Sequence, residues 1–403
     1  MDAQKFYTHR TMIVWLNVLL LTGAFITNGF LPIPMFAVRL TILAITIILI
    51  LNQPHIISRI AANRLLLLLL LYPLLSALWS PYPILTIRRV VALTAVTLLG
   101  IYTAETYPIK QQTRLYLSVM IFILIASIGF VFVLPEYAIM TGTHLGRWNG
   151  ILSHKNVLAR LATVVFVCLL YLRSDRLTYS LWQRTLLIAL SLLILYFSES
   201  ASAWIIILIF TLAYPFLAIF NERSLLFGVL FPLYVILAVS LLTISLLYYE
   251  SIFALLGRDP TITGRVDLWT NSMVLIYENL WFGQGYSAAF LPNAPIYDRI
   301  AWALAANAHN GWLDIGLELG LIGIILYTLS LLQNLIKGLY LARTTGEIFP
   351  MIFIVLFISL SITETSSYIL RDMLWVIYVS ITLYLTPMPS PQQFDNTPST
   401  QPI

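Results

Sequence analysis

The sequence predicts an all-α polytopic membrane protein. Composition is the first reason: 60% of the 403 residues are hydrophobic and 10% are charged, whereas a soluble domain carries about 25% charged residues. Patterning is the second. The apolar residues fall in long runs and mean hydropathy reaches +0.90, so a 45.7 kDa chain has too little polar surface to stay in water. Ten Trp, 22 Tyr and 21 Phe also suit aromatic belts at the two membrane faces.

A spanning helix needs about 20 mostly apolar residues. About twelve segments qualify, at roughly 11–30, 33–51, 65–79, 88–105, 115–134, 156–172, 184–198, 201–220, 225–248, 311–333, 349–363 and 372–386. The first is long enough to span and lacks a small-x-small cleavage site, so it reads as a transmembrane helix and not as a cleaved signal peptide. No internal repeat stands out. Residues 387–403, rich in Pro, Ser, Thr and Gln, read as a disordered cytoplasmic tail. Residues 1–386 then form a single transmembrane domain. Cys168, the one cysteine, lies inside an apolar run. It reads as a small buried residue, and a disulfide framework or a Cys-rich metal site is excluded.

Charge gives the orientation. The formal net charge is +5, but the basic residues are scattered between apolar spans with no Lys/Arg-rich run. That pattern suits positive-inside topology and not nucleic acid. With the N-terminus inside, twelve of the 22 Lys and Arg fall on the cytoplasmic side. The other ten are Arg39, Arg88, Arg89, Arg147, Lys155, Arg160, Arg258, Arg265, Arg299 and Arg371. They sit at or near outer span ends or in outer loops, where a bare positive-inside pattern would avoid them. One such arginine is readily explained as a headgroup anchor. The set points to an anion presented at the outer face.

Four outer segments break the apolar pattern. Trp79-Ser80-Pro81 precedes Arg88 and Arg89, which suit a phosphate at headgroup level. Gly146-Arg147-Trp148-Asn149-Gly150 runs into Ser153-His154-Lys155-Asn156, where Ser153 or Asn156 is placed to cap the next helix. That helix N-terminus, beside Arg147 and Lys155, would attract an anion. The connection from about 250 to 310 contains Thr263-Gly264-Arg265, and Val266, Trp269, Met273, Ile276, Tyr277 and Leu280 then recur at helical spacing. This predicts an interfacial helix in a large periplasmic loop. Gly283-Gln284-Gly285 turns the chain without the spacing of a nucleotide loop. Last comes Ala308-His309-Asn310, and an imidazole suits general-base work near neutral pH. Glu199 and Glu364 each lie between two apolar runs, which makes them functional candidates. The plainer reading of each is an outer-loop ion pair, with Arg371 as the partner of Glu364.

Taken in order, these motifs resemble the O-antigen ligase and O-antigen polymerase superfamily of bacterial membrane proteins, nearest to its exopolysaccharide-polymerase branch. The pieces are Leu78-Trp79-Ser80, Gly150 to Asn156, Thr263-Gly264-Arg265 with Trp269, Gly283-Gln284-Gly285 with Phe290, His309-Asn310, and Glu364-Thr365-Ser366. The resemblance implies a glycosyltransferase of the inner membrane, with its site facing the periplasm. It would move glycan from an undecaprenyl-diphosphate carrier to a glycan or lipid-linked acceptor, without metal or other cofactor. It assigns His309 to activating the acceptor hydroxyl and Arg265 to the diphosphate. Family members often carry an arginine where this chain reads Ser198-Glu199-Ser200, so Arg147, Lys155 or Arg88 is expected to make the second diphosphate contact. His154, Asn156, Asn310, Glu199 and Glu364 are the expected supporting residues. Other glycan-assembly proteins are expected as neighbours. The alternatives are a transporter or flippase of a lipid-linked or anionic substrate, and a non-enzymatic scaffold. Polymerase and ligase share these motifs.

Overall fold

The computed structural model describes residues 3–26, 29–51, 59, 63–172, 179–219, 265–291, 307–365 and 367–386, with a few isolated positions between 229 and 244. Twelve helices organise them: α1 Ala3–Leu21, α2 Met35–Ile50, α3 Arg64–Leu75, α4 Pro83–Thr106, α5 Ile109–Val133, α6 Lys155–Tyr171, α7 Leu181–Ser198, α8 Ala201–Ile219, α9 Arg265–Glu278, α10 Gly311–Thr345, α11 Phe349–Thr363 and α12 Met373–Tyr384. Among the described residues four, α4, α5, α7 and α10, are long and apolar enough to cross a membrane. Six shorter apolar stretches accompany them, at His9–Leu21, Met35–Ile50, Arg64–Leu78, Ala201–Tyr214, Phe349–Thr363 and Met373–Tyr384. This is the helical architecture of a membrane protein.

Eleven of the twelve expected spans fall on helices. The stretch 225–248 and the tail from 387 lie almost wholly outside the described residues. Several boundaries move, two helix ends the furthest. The first helix stops at Leu21, because the chain turns through Thr22–Ile26 with Phe25 at φ +64°. The helix expected to end near 333 runs on to Thr345 and stops at Gly346, whose left-handed φ closes it.

The most deeply packed elements are α6, α11 and α12. Every residue from Met373 to Leu383 is buried. Helix α12 lies against α4, and Gly100 makes that approach possible: a β-carbon there would meet the Val376 carbonyl oxygen at 2.8 Å. Small residues at helix contacts are the usual device where lipid offers no hydrophobic drive for association. Polar side chains tie α12 to α4 and to α10. Trp375 Nε1 donates to Thr97 Oγ1 at 2.9 Å, and Asn334 Nδ2 donates to Thr382 Oγ1 at 2.6 Å. On the periphery, Leu78, Ile84, Phe132 and Trp182 are exposed apolar side chains of the kind lipid would cover.

Candidate active site

The first half of α10 and the four residues before it, 307–310, form the centre. Asn310 caps the helix, its Oδ1 accepting from the N–H groups of Trp312 and Leu313 at 3.0 and 3.3 Å. Buried Asp314 reaches back to accept the Ala308 N–H at 2.7 Å, while the Ala308 carbonyl accepts from Trp269 Nε1 of α9 at 2.9 Å. His309 is thereby held between two fixed neighbours. Its φ of +50° is left-handed, and its N–H donates to Asn307 Oδ1 at 3.1 Å. This geometry brings His309 Nδ1 to 3.3 Å from Glu364 Oε2. Glu364 ends α11 in an extended conformation. Its other oxygen, Oε1, accepts from Asn156 Nδ2 at 3.0 Å and from Ser202 Oγ at 3.4 Å. A carboxylate fixed on both oxygens orients an imidazole. With Nδ1–H donating to it, Nε2 is left as the basic nitrogen.

The segment before α6 supports this pair. Gly150, at φ +59°, lies so close to Ser127 that no side chain fits. Asn149 Nδ2 ties the loop through the carbonyls of Tyr137 and Leu152 at 3.0 and 2.8 Å. Neither Ser153 nor Asn156 caps α6. The cap is His154, whose Nδ1 accepts from the Asn156 N–H at 3.2 Å; the imidazole reaches that donor and leaves the Asn156 amide for Glu364. Burial, reinforced by the nearby His144, pushes His154 down to about 4, although Glu364 pulls the other way. His144 is lowered too, by burial and then by Lys155 and Arg147. Arg147 pairs with Glu199 at 3.0 Å and also meets His144 Nδ1 at 2.9 Å. Lys155 is buried and donates to the carbonyls of Ser198 and Glu199 at 3.2 and 3.1 Å, where a cation complements the C-terminus of α7.

Gly283-Gln284-Gly285 has a specific task. Helix α10 is interrupted at Gly320, with φ 63° and ψ −163°, and the turn fills the break. Gln284 and Gly285 donate to the carbonyls of Leu317 and Glu318, both at 2.8 Å, while Leu321 N–H donates to the Leu280 carbonyl at 2.7 Å. Irregular backbone at membrane depth survives only where protein satisfies it. The Trp79-Ser80 motif closes over the same turn. Trp79 Nε1 donates to the Phe282 carbonyl at 3.1 Å, and a β-carbon on Gly285 would meet Ser80 Cβ at 2.5 Å. An open groove of about 540 Å³ runs here, lined by Trp79, Pro81, Asn279, Phe282, Gly283 and Gln284.

Helix α9 packs on α10 through Leu268, Leu275 and Leu317. The apolar residues read from the spacing are divided between two sides of this helix. Trp269 and Ile276 are partly buried, but Met273 and Tyr277 point outward, because the contact with α10 claims the side centred on Leu268, Ser272 and Leu275. Arg265 is the first residue of this helix, one turn before Trp269.

Of the residues singled out in the sequence, His309, Glu364, Asn156, Asn310 and His154 come together. Glu199, Arg147 and Lys155 form the adjoining wall. Arg88 turns away and stacks over Phe36, 3.6 Å from the ring centre. The expected Arg371–Glu364 pair does not form. Glu364 is taken by His309 and Asn156, and Arg371 donates to Ser287 Oγ at 3.2 Å. Arg89 Nη1 donates to the same hydroxyl at 3.0 Å. Four polar residues of this neighbourhood were missed: Ser287, Arg89 as the inward member of its pair, Asp314 and Glu318. The last two carried a signal, since carboxylates four apart in the apolar run Gly311-Trp-Leu-Asp-Ile-Gly-Leu-Glu are costly unless used.

Residues 186–328 match the family model described as O-antigen ligase. The match runs from α7 into α10 and includes Glu199, Arg265 and His309. That stretch of the chain is similar to the O-antigen ligase family, which supports the resemblance drawn from the motifs. No curated protein sequence matches the chain.

Proposed function

We propose that the protein is a glycosyltransferase of the bacterial inner membrane, with its site facing the periplasm. It joins glycan carried on undecaprenyl diphosphate to a hydroxyl of an acceptor glycan, as a polymerase of exopolysaccharide or O-antigen repeat units; ligation to a lipid acceptor is the neighbouring activity of the same superfamily. The observation that carries this reading is His309 oriented by Glu364, at the start of a helix and beside the loop helix that begins with Arg265.

The chemistry follows from that pair. Glu364 holds the His309 ring so that Nε2 accepts the proton of the acceptor hydroxyl. The acceptor oxygen then bonds to the anomeric carbon, and the bond from that carbon to the carrier phosphate breaks. The diphosphate departs with the electron pair, so negative charge grows on its oxygens. Guanidinium groups stabilise that charge as it develops. Arg265 is the first choice by the family pattern. Arg147 sits beside the dyad, and its bond to exposed Glu199 is of a kind worth at most about 1 kcal/mol, so a diphosphate can compete for it. Because the donor is already activated, no metal is required of the reaction. The exposed Met273 and Tyr277 of α9 suit a helix lying against lipid headgroups, where such a carrier would arrive.

The test is polymer formation by purified protein given lipid-linked repeat units, alongside polymer levels in cells. His309→Ala should abolish the product ladder while the protein still inserts. Glu364→Gln, which keeps the shape but not the orienting charge, should slow it by on the order of 100-fold or more. Wild-type ladders from both variants would sink the proposal.

A further inference from the structure

Beside the dyad lies a second, partly open cavity of about 140 Å³, whose polar walls include Arg89, Ser287, Asp314, Glu318 and Arg371. It adjoins the His309 segment, because Asn307 lines it and Asp314 holds the Ala308 N–H. Its wall is unusual. Four buried polar atoms of this wall, Asp314 Oδ2, Glu318 Oε2, Thr365 Oγ1 and Arg371 Nε, have no hydrogen-bond partner among the described residues. Such atoms are costly when left without a partner, and more so when charged. Asp314, Glu318 and Arg371 are 1%, 3% and 9% exposed. Two guanidiniums converge on Ser287 Oγ, and among the described residues no ion pair joins either one to the two carboxylates.

The donor and acceptor inventory selects the occupant. A phosphate offers only acceptors, so Asp314 and Glu318 would oppose it. An ammonium group offers only donors, so Arg89 and Arg371 would oppose it. A hydroxyl does both, and adjacent hydroxyls can donate to a carboxylate while accepting from a guanidinium. Size agrees: a buried water needs roughly 10–15 Å³ of such a cavity, so the space takes on the order of ten water-sized groups, close to the heavy atoms of one hexose. The geometry points to a subsite for one uncharged, hydroxyl-rich sugar ring of the glycan, adjacent to the reacting centre. This rests on the glycosyltransferase reading. It assigns Glu318, Asp314, Arg89 and Arg371 to sugar recognition and leaves the diphosphate to other cations.

Saturation-transfer NMR on the full-length protein in nanodiscs tests it, with a panel of neutral methyl hexosides and methyl N-acetylhexosaminides as probes. At least one should bind, and Glu318→Gln should weaken it about tenfold. Ser287→Ala, a smaller change, should weaken it in the same direction if Glu318→Gln does not fold. Inorganic pyrophosphate should leave the bound sugar in place. Absence of binding by every probe at 50-fold or greater excess (about that ratio suffices for millimolar affinities), or displacement by pyrophosphate, would overturn the assignment. His309→Ala should retain sugar binding, so the subsite and the catalytic reading fail separately.

Discussion

Gly320→Ala tests the broken helix most directly. The new β-carbon would lie 2.5 Å from the carbonyl carbon and oxygen of Trp281 and 2.6 Å from the Phe282 nitrogen. All three are backbone atoms and cannot swing aside. The native φ of 63° with ψ −163° lies in a region open essentially to glycine alone, at a cost of about 1–3 kcal/mol for another residue. Relieving the clash moves the 280–285 turn and endangers three hydrogen bonds, from Gln284, Gly285 and Leu321, each worth about 0.5–1.5 kcal/mol net. The middle of those ranges gives a loss of about 5 kcal/mol, enough to lower the melting temperature by upwards of about 5 °C. The assay is thermal unfolding in detergent followed by tryptophan fluorescence. Gly129→Ala is the control: that glycine is inside α5 with nothing near its missing β-carbon, so alanine should be neutral or stabilising by about 1 kcal/mol. If Gly320→Ala melts with the wild type, the interruption of α10 and the role of the Gly-Gln-Gly turn are wrong.

His154 should make stability fall with acidification. Its folded value near 4 lies below the usual 6.5, so between pH 6.5 and about 4 the unfolded chain takes up a proton that the folded chain refuses; after solvent screening the decline should total about 1–2 kcal/mol. A proton on Nδ1 would also end the cap to Asn156, and melting scans from pH 7.5 to 5 should show a shallower decline for His154→Asn; equal slopes would contradict the assignment. The two outer ion pairs should differ in worth. Arg147–Glu199 has side chains 31% and 53% exposed and Arg160–Asp372 only 6% and 15%, so Glu199→Ala should cost under about 1 kcal/mol and Asp372→Ala about 3–5 kcal/mol by denaturant unfolding. Equal losses would refute that ranking.

What the sequence made legible is what local pattern encodes. Apolar runs placed the helices, and His309-Asn310 announced a helix start because Asn is a strong cap. Long-range choice was not legible. Nothing local tells Glu364 to select His309, 55 residues away, over Arg371, seven positions on. Arg88 and Arg89 are adjacent, yet one residue turns a helix by about 100°, so one stacks on Phe36 and the other enters the cavity. Helix α9 had apolar residues on more than one side, and periodicity alone could not choose the side that meets α10. Gly320 looks like any glycine in a membrane helix. Only its partners, 35 to 40 positions earlier in the chain, show why the helix breaks there.

Backbone strain then links these separate details. The described non-glycine residues with positive φ are Phe25, Glu199, Ser287, His309 and Arg371. Four of the five belong to the site, and each such conformation costs of order 1–3 kcal/mol unless its surroundings enforce it. The enforcement is visible in each case. Glu199 closes α7, with its carbonyl on Lys155 and its carboxylate on Arg147. His309 immediately precedes the cap of α10 and is tied to Asn307 and Glu364. Arg371 immediately precedes Asp372, which caps α12 and pairs with Arg160. Ser287 receives two guanidiniums. Three of these four stand beside a helix end, where the chain must change direction and where left-handed backbone redirects a side chain most sharply. A site assembled from helix ends lies at the margin of the helical body and not between helix middles. A donor whose tail stays in lipid and whose glycan stays in water could reach such a site without crossing the packed core of α6, α11 and α12.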